Sequence, residues 1–253
     1  MPTVSDMKGK AALVTGAAAG LGRATALKLA QAGADICLVD IDAGKLAEVA
    51  DEVRALGVQV LVQVSDLAVP ENCATVVAAA VAAFGRLDAL CNVAGVMIPS
   101  HTPEMPIAAF QTTLAVNLAA PFYLIQAAIP HLLLVKGAVV NVASAVGITA
   151  QAYTAAYCAT KAGLIHMTKS LAMEYMQQPI RFNAVAPGGM MTALALNMMT
   201  LQNGDPALMA RCAPLRGLVE IDDVADMVAF LATDAADGYH GNVIVIDKGI
   251  TAG

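Results

Sequence analysis

The chain has 253 residues, enough for one large α/β domain or two small ones. Hydrophobic residues make up 58% of it and charged residues 13%, which excludes a disordered chain. Its formal net charge of -6 has the wrong sign for a nucleic-acid binder, which neutralises phosphates with Lys and Arg.

The mean hydropathy of +0.67 raises the membrane question. The run Met105–Val135 carries no Asp, Glu, Lys or Arg, but Gln111, Thr112, Thr113, Asn117, Pro121, Gln126 and Pro130 make it a poor span. A helix buried between subunits is the better reading. The N-terminus MPTVSDMKGKAALVTG lacks a signal-peptide pattern, so a cytoplasmic protein is expected. Cys37, Cys73, Cys91, Cys158 and Cys212 lie far apart, with no CxxC pair and no HExxH, so neither disulfides nor a metal site are expected.

In chain order, short apolar runs alternate with helical patterns. The first candidate strand, Ala11–Val14, leads into the turn Thr15–Gly22 and a helix over Leu21–Ala32. Gly16, Ala19, Gly20, Leu21 and Gly22 form a tight, small-residue turn at a helix start. Such a turn lets backbone N–H groups approach a phosphate, although it also serves as a packing device. The second strand, Ile36–Val39, ends at Asp40, 20 residues after Gly20. An acid there accepts hydrogen bonds from an adenosine ribose and repels a 2′-phosphate, favouring NAD over NADP. Asp42 is a rival for that role.

A helix over Gly44–Leu56 and a third strand, Gln59–Val64, lead to Asp66 and Leu67, placed to meet an adenine edge. After the helix Glu71–Phe84 and the strand Leu87–Cys91 comes Asn92-Val93-Ala94-Gly95, where small residues let a cofactor lie close. The long helix Ile107–Leu134 precedes the fifth strand, Ala138–Val142, and Ser144. The helix Tyr153–Met176 carries Tyr157 and Lys161, four residues apart and so on one face. A nearby ammonium and a cationic nicotinamide are expected to lower the Tyr157 pKa from its usual value of about 10. Ser144, 13 residues before Tyr157, is placed to hold a substrate oxygen. Tyr153 is a decoy, since its i+4 partner is Tyr157. The strand Phe182–Val185, the helix Ile221–Thr233 and the strand Val243–Ile246 complete the series. Strands apolar throughout and alternating with helices predict one α/β domain over residues 1–253, a doubly wound parallel sheet of about seven strands.

The motifs Thr15–Gly22, Asn92/Ala94/Gly95, Asn117–Ser144–Tyr157–Lys161 and Pro187-Gly188 with Thr192 resemble those of the short-chain dehydrogenase/reductase family, over essentially the full length. The resemblance implies an NAD-dependent oxidoreductase. In it Tyr157 moves a proton, Lys161 also grips the nicotinamide ribose, and Ser144 orients the carbonyl or alcohol. Asn117 supports a proton-relaying water, and backbone around Pro187, Gly188, Met190 and Thr192 fixes the carboxamide. Cys91, Ala143 and Lys248 depart from the family pattern without touching the four catalytic positions.

The segment 188–213 reads as a substrate lid, holding Met190, Met191, Leu194, Leu196, Met198, Met199 and Leu201, with Met97, Ile98 and Met105 as further candidates for the pocket. These apolar residues suit an uncharged apolar small-molecule substrate, although ordinary packing explains them nearly as well. Two charge-poor helices predict a homodimer or, as the resemblance implies, a homotetramer. The competing readings are an NADPH-dependent reductase of carrier-bound acyl chains, which Asp40 disfavours, and a non-catalytic dinucleotide sensor, which has no need of Tyr157 with Lys161.

Overall fold

The structure is a computed structural model that describes residues 6–252 except 212 and 215. In chain order the elements begin β1 (Ala11–Thr15), α1 (Gly20–Gln31), β2 (Asp35–Asp40), α2 (Ala43–Arg54), β3 (Val60–Val64), α3 (Pro70–Phe84) and β4 (Ala89–Asn92). Then come α4 (Ile107–Leu114), a π-helical turn (Ala115–Ala119), α5 (Ala120–Val135), β5 (Ala138–Val142), α6 (Val146–Thr149) and α7 (Ala155–Glu174). The chain closes with β6 (Arg181–Pro187), α8 (Ala193–Leu196), α9 (Pro206–Ala210), α10 (Ile221–Leu231) and β7 (Val243–Ile246).

The seven strands pair in parallel in the order β3-β2-β1-β4-β5-β6-β7. Successive strand residues face opposite sides. Val14, Ile36, Leu38, Cys91 and Val140 meet α1, α2 and α10 on one face. Leu13, Cys37, Val39, Leu90, Val139 and Phe182 meet α3, α5 and α7 on the other. Both faces are covered, which is why the strands read as continuous apolar runs. Strand order reverses between β1 and β4, so a crevice opens at their carboxyl ends, where ligands of such sheets bind.

The Ile107–Val135 helix, 29 residues long, is apolar and long enough to cross a membrane. In the fold it turns Leu124, Ile125, Ala128 and Leu132 onto the sheet and α3. Its outer side leaves Ile107 77%, Phe110 44%, Phe122 42% and Leu134 82% exposed. The helix that carries Tyr157 starts at Ala155, later than expected: Tyr153 lies outside it with φ 67°.

Candidate active site

A cleft of about 430 Å³ runs from the β1–α1 turn to Tyr157 and Lys161. At the first end the backbone is packed to its limit. Gly16 sits at φ 67°, and a Cβ on it would lie 2.9 Å from the Ala94 Cα. A Cβ on Gly22 would lie 2.0 Å from the Gly16 carbonyl oxygen. Thr15 Oγ1 accepts from the Val93 and Ala94 N–H groups, both at 3.0 Å, and so ties the ends of β1 and β4 together across the switch point. Ala19, before α1, offers the first turn no side-chain cap. The first turn of α1 lines the cleft uncapped by the Ala19 side chain, as suits an anion-binding turn.

Asp40 ends β2 and accepts from the Ala18 N–H at 3.1 Å, from Ile41 at 2.7 Å and from Asp42 at 3.1 Å. These bonds fix its carboxylate at the cleft edge with acceptor capacity left for a ribose. Asp42 also lines the cleft, but it is the cap of α2, accepting from the Lys45 N–H at 3.1 Å and pairing with the Lys45 Nζ at 3.0 Å. Asp40 is therefore the better placed of the two.

At the other end, Ser144, Tyr157 and Lys161 line the cleft together. The Lys161 ammonium donates to the Val142 carbonyl at 2.8 Å and stands 5.7 Å over the Tyr157 ring. Burial holds Lys161 down to about 8, since the charged form loses its water. Burial likewise pushes the Tyr157 phenol up to about 12, against a hydrogen bond from Ser144 that pulls it back. The expected lowering by a cationic nicotinamide belongs to the cofactor-bound site; in the chain alone, desolvation is the largest influence on the phenol.

Gly16, Ala19, Gly20, Leu21, Gly22, Asp40, Ala94, Gly95, Ser144, Tyr157, Lys161, Pro187, Gly188, Met190 and Thr192 all border this one cleft. Four expected residues stand elsewhere. The Asn92 side chain is interior, donating to Asn141 Oδ1 at 2.8 Å on the neighbouring strand. Leu67 is buried in the core. Asp66 forms a local turn, accepting from the Ala68 N–H at 2.9 Å. Asn117 is fully buried: its Oδ1 accepts from the Val96 N–H and its Nδ2 donates to the Val96 carbonyl, both at 2.8 Å. It clamps the loop that carries Gly95 instead of bordering the cleft.

Of the apolar candidates, Met97, Met190, Leu194 and Met198 line the cleft, whereas Met191 and Met199 are 65% and 79% exposed. Ile98 and Met105 stand outside the lining among the described residues, and Cys212 in the same expected lid lies outside the described residues. Gln151 and Ile250 also border the cleft and escaped sequence reasoning. No spacing rule reaches them from Tyr157 and Lys161.

The segment after β6 is strutted to the opposite wall. The Asn197 Nδ2 donates to the Met97 carbonyl at 3.1 Å, and the His101 Nε2 lies 3.1 Å from the Gln202 carbonyl. The Asp205 N–H donates to the Tyr153 hydroxyl at 2.8 Å.

The family described as Enoyl-(Acyl carrier protein) reductase matches residues 16–251. The chain is 35% identical over 251 residues to the 2,5-dichloro-2,5-cyclohexadiene-1,4-diol dehydrogenase LinX of Sphingobium indicum, covering 98% of each chain. It is 35% identical over 245 residues to the cyclohexanol dehydrogenase of an Acinetobacter species, covering 96% of this chain and 95% of that one. The fold superposes on the carveol dehydrogenase of Mycobacterium avium in complex with NAD with a TM-score of 0.88, at 28% identity, covering 98% of this chain and 100% of that one.

Proposed function

We propose, from the premise that this chain belongs to the short-chain dehydrogenase/reductase family, the roles its residues play in an NAD-dependent oxidation of a secondary alcohol to a ketone. The reaction type and the cofactor follow from the family and its NAD-bound relatives. The observation that carries the residue assignment is one cleft with a glycine-tight helix terminus and Asp40 at one end, and Ser144, Tyr157 and Lys161 at the other. NAD, when bound, supplies the acceptor for the hydride that leaves the alcohol carbon.

The β1–α1 turn holds the pyrophosphate, and Asp40 holds the adenosine ribose and repels a 2′-phosphate. Ser144 hydrogen-bonds the substrate oxygen. The Tyr157 oxygen takes the hydroxyl proton, so the carbon loses its hydride without forming a protonated carbonyl. Lys161 supplies the positive charge that favours the phenolate. Asn117 keeps Gly95 and Val96 in place beside it.

The segment 188–213 forms the lid, and Met97, Met190, Leu194 and Met198 give it an apolar lining. Among the described residues no Lys or Arg from this segment borders the cleft, so uncharged alicyclic alcohols fit better than hydroxy acids. The relatives named for cyclohexanol and carveol act on alcohols of that kind by their names.

We place the protein in the cytoplasm as a homodimer or homotetramer, its exposed Ile107, Phe110, Phe122 and Leu134 covered by another copy. Turnover measured with NAD and with NADP across a panel of alcohols and ketones tests the function, and is expected to show NAD-dependent oxidation of cyclic alcohols. Absence of turnover with every alcohol would overturn it. Light scattering that finds a monomer at micromolar concentration would overturn the assembly.

A further inference from the structure

Tyr153 stands four residues before Tyr157 and, among the described residues, lies outside the cleft lining. Its backbone occupies φ 67°, in the left-handed region that a bulky residue enters only at a cost. Backbone strain of this kind persists where surrounding contacts over-determine it, and an observed outlier is grounds for asking what it does.

Three contacts hold Tyr153, two from the loop after β4 and one from the segment after β6. Its carbonyl accepts from the Ser100 N–H at 2.9 Å. Its ring meets the His101 ring edge-on, with centroids 4.9 Å apart. Its hydroxyl accepts from the Asp205 N–H at 2.8 Å, at the start of α9. His101 in turn reaches the Gln202 carbonyl. Tyr153 thus joins the loop after β4, the segment after β6 and the approach to α7. The next residue, Thr154, is buried, its hydroxyl on the Gln151 carbonyl at 3.0 Å, and α7 then carries Tyr157 and Lys161.

We infer that Tyr153 is a positioning residue, a latch that holds the 188–213 segment over the substrate end of the cleft and fixes its distance from Tyr157. Asn197 and His101 tie the same segment to the loop after β4, whereas Tyr153 ties it to the chain that enters the catalytic helix. Opening at this latch admits the alcohol and releases the ketone. The inference rests on the reading of 188–213 as a lid.

Tyr153→Phe keeps the ring on His101 and removes only the hydroxyl. In the full-length protein, tryptic cleavage at the exposed Arg211 and Arg216 is expected to quicken about fivefold, the scale of one lost hydrogen bond. The KM for alcohol is expected to rise by a similar factor, with kcat kept or raised. Tyr153→Asn, a residue at ease in left-handed backbone, is expected to keep or raise the unfolding midpoint while cleavage still quickens, which separates strain from latching. Wild-type cleavage rate and KM in Tyr153→Phe would overturn the latch. A fall in kcat with unchanged KM and cleavage would overturn it too, by placing the hydroxyl in the chemistry. The cleavage comparison needs no turnover, so it stands even if no alcohol is oxidised and the proposed function fails.

Discussion

The two ends of the cleft are built by different means. At the β1–α1 end the constraint lies in backbone: added Cβ atoms would stand 2.9 Å and 2.0 Å from main-chain atoms at Gly16 and Gly22. At the other end the walls are the side chains of Met97, Leu194 and Met198, and the segment behind them is tied by single hydrogen bonds such as Asn197 Nδ2 to the Met97 carbonyl. Backbone packed this closely has one arrangement, whereas thioether and branched side chains change shape readily. A fold of this design keeps one ligand fixed and leaves the other open to variation.

The largest effect is expected at the Tyr157 end of the cleft. Tyr157→Phe keeps the ring but removes the proton acceptor, and kcat is expected to fall at least about a hundredfold with NAD affinity little changed. Lys161→Ala is expected to lower both. Turnover and NAD titration of each folded variant decide between these patterns. Because burial holds the Tyr157 phenol up at about 12, it is protonated at neutral pH. Alcohol oxidation should therefore rise with pH from neutral upward, whereas ketone reduction, which needs the protonated phenol, should not. A pH profile of kcat/KM in both directions checks the sign, and Tyr157→Phe should flatten it.

At the rigid end, Gly22→Ala forces a methyl against the Gly16 carbonyl. Overpacking of this kind costs about 1–3 kcal/mol, so NAD affinity is expected to fall about tenfold or more, read by calorimetry. Asp40→Ala should act more narrowly, eroding an NAD preference of at least about tenfold, since both the ribose bond and the repulsion go. Kinetics with each dinucleotide measure it. The smallest effect belongs to the adaptable end: Met198→Ala should raise the KM for a cyclic alcohol a few-fold, and Met199→Ala, on the 79% exposed neighbour, should leave it unchanged. Equal effects from both would return these methionines to ordinary packing.

The sheet was legible because its strands, covered on both faces, read as apolar runs, and the bounds of β5 and β7 coincide with the expected ones. The glycine turn and the Tyr157–Lys161 pair were legible because each depends on local spacing. What local spacing cannot carry is the direction of a side chain at the end of a strand. Asn92 ends β4 at the mouth of the crevice, yet its amide meets Asn141, its register partner on β5. Leu67 turned inward for the same reason, joining the core. Tyr153 continued the helical pattern on paper, while contacts from Ser100, His101 and Asp205, all remote in sequence, hold it off the helix. The π-helical turn left no mark either, since the apolar pattern passes through it unbroken.

That turn, Ala115–Ala119, accommodates one residue more than an α-helical turn needs. The helix beyond it keeps the facing it would have without that residue. Formally it is an insertion, absorbed where it occurs. Excising one residue there is thus an unusual edit to a core helix, because Leu124, Ile125, Ala128 and Leu132 can stay against the sheet. What the shortened helix loses is the bulge that aims Asn117 at both polar groups of Val96. The support of the active site and the frame of the fold are separable at this point by a single codon.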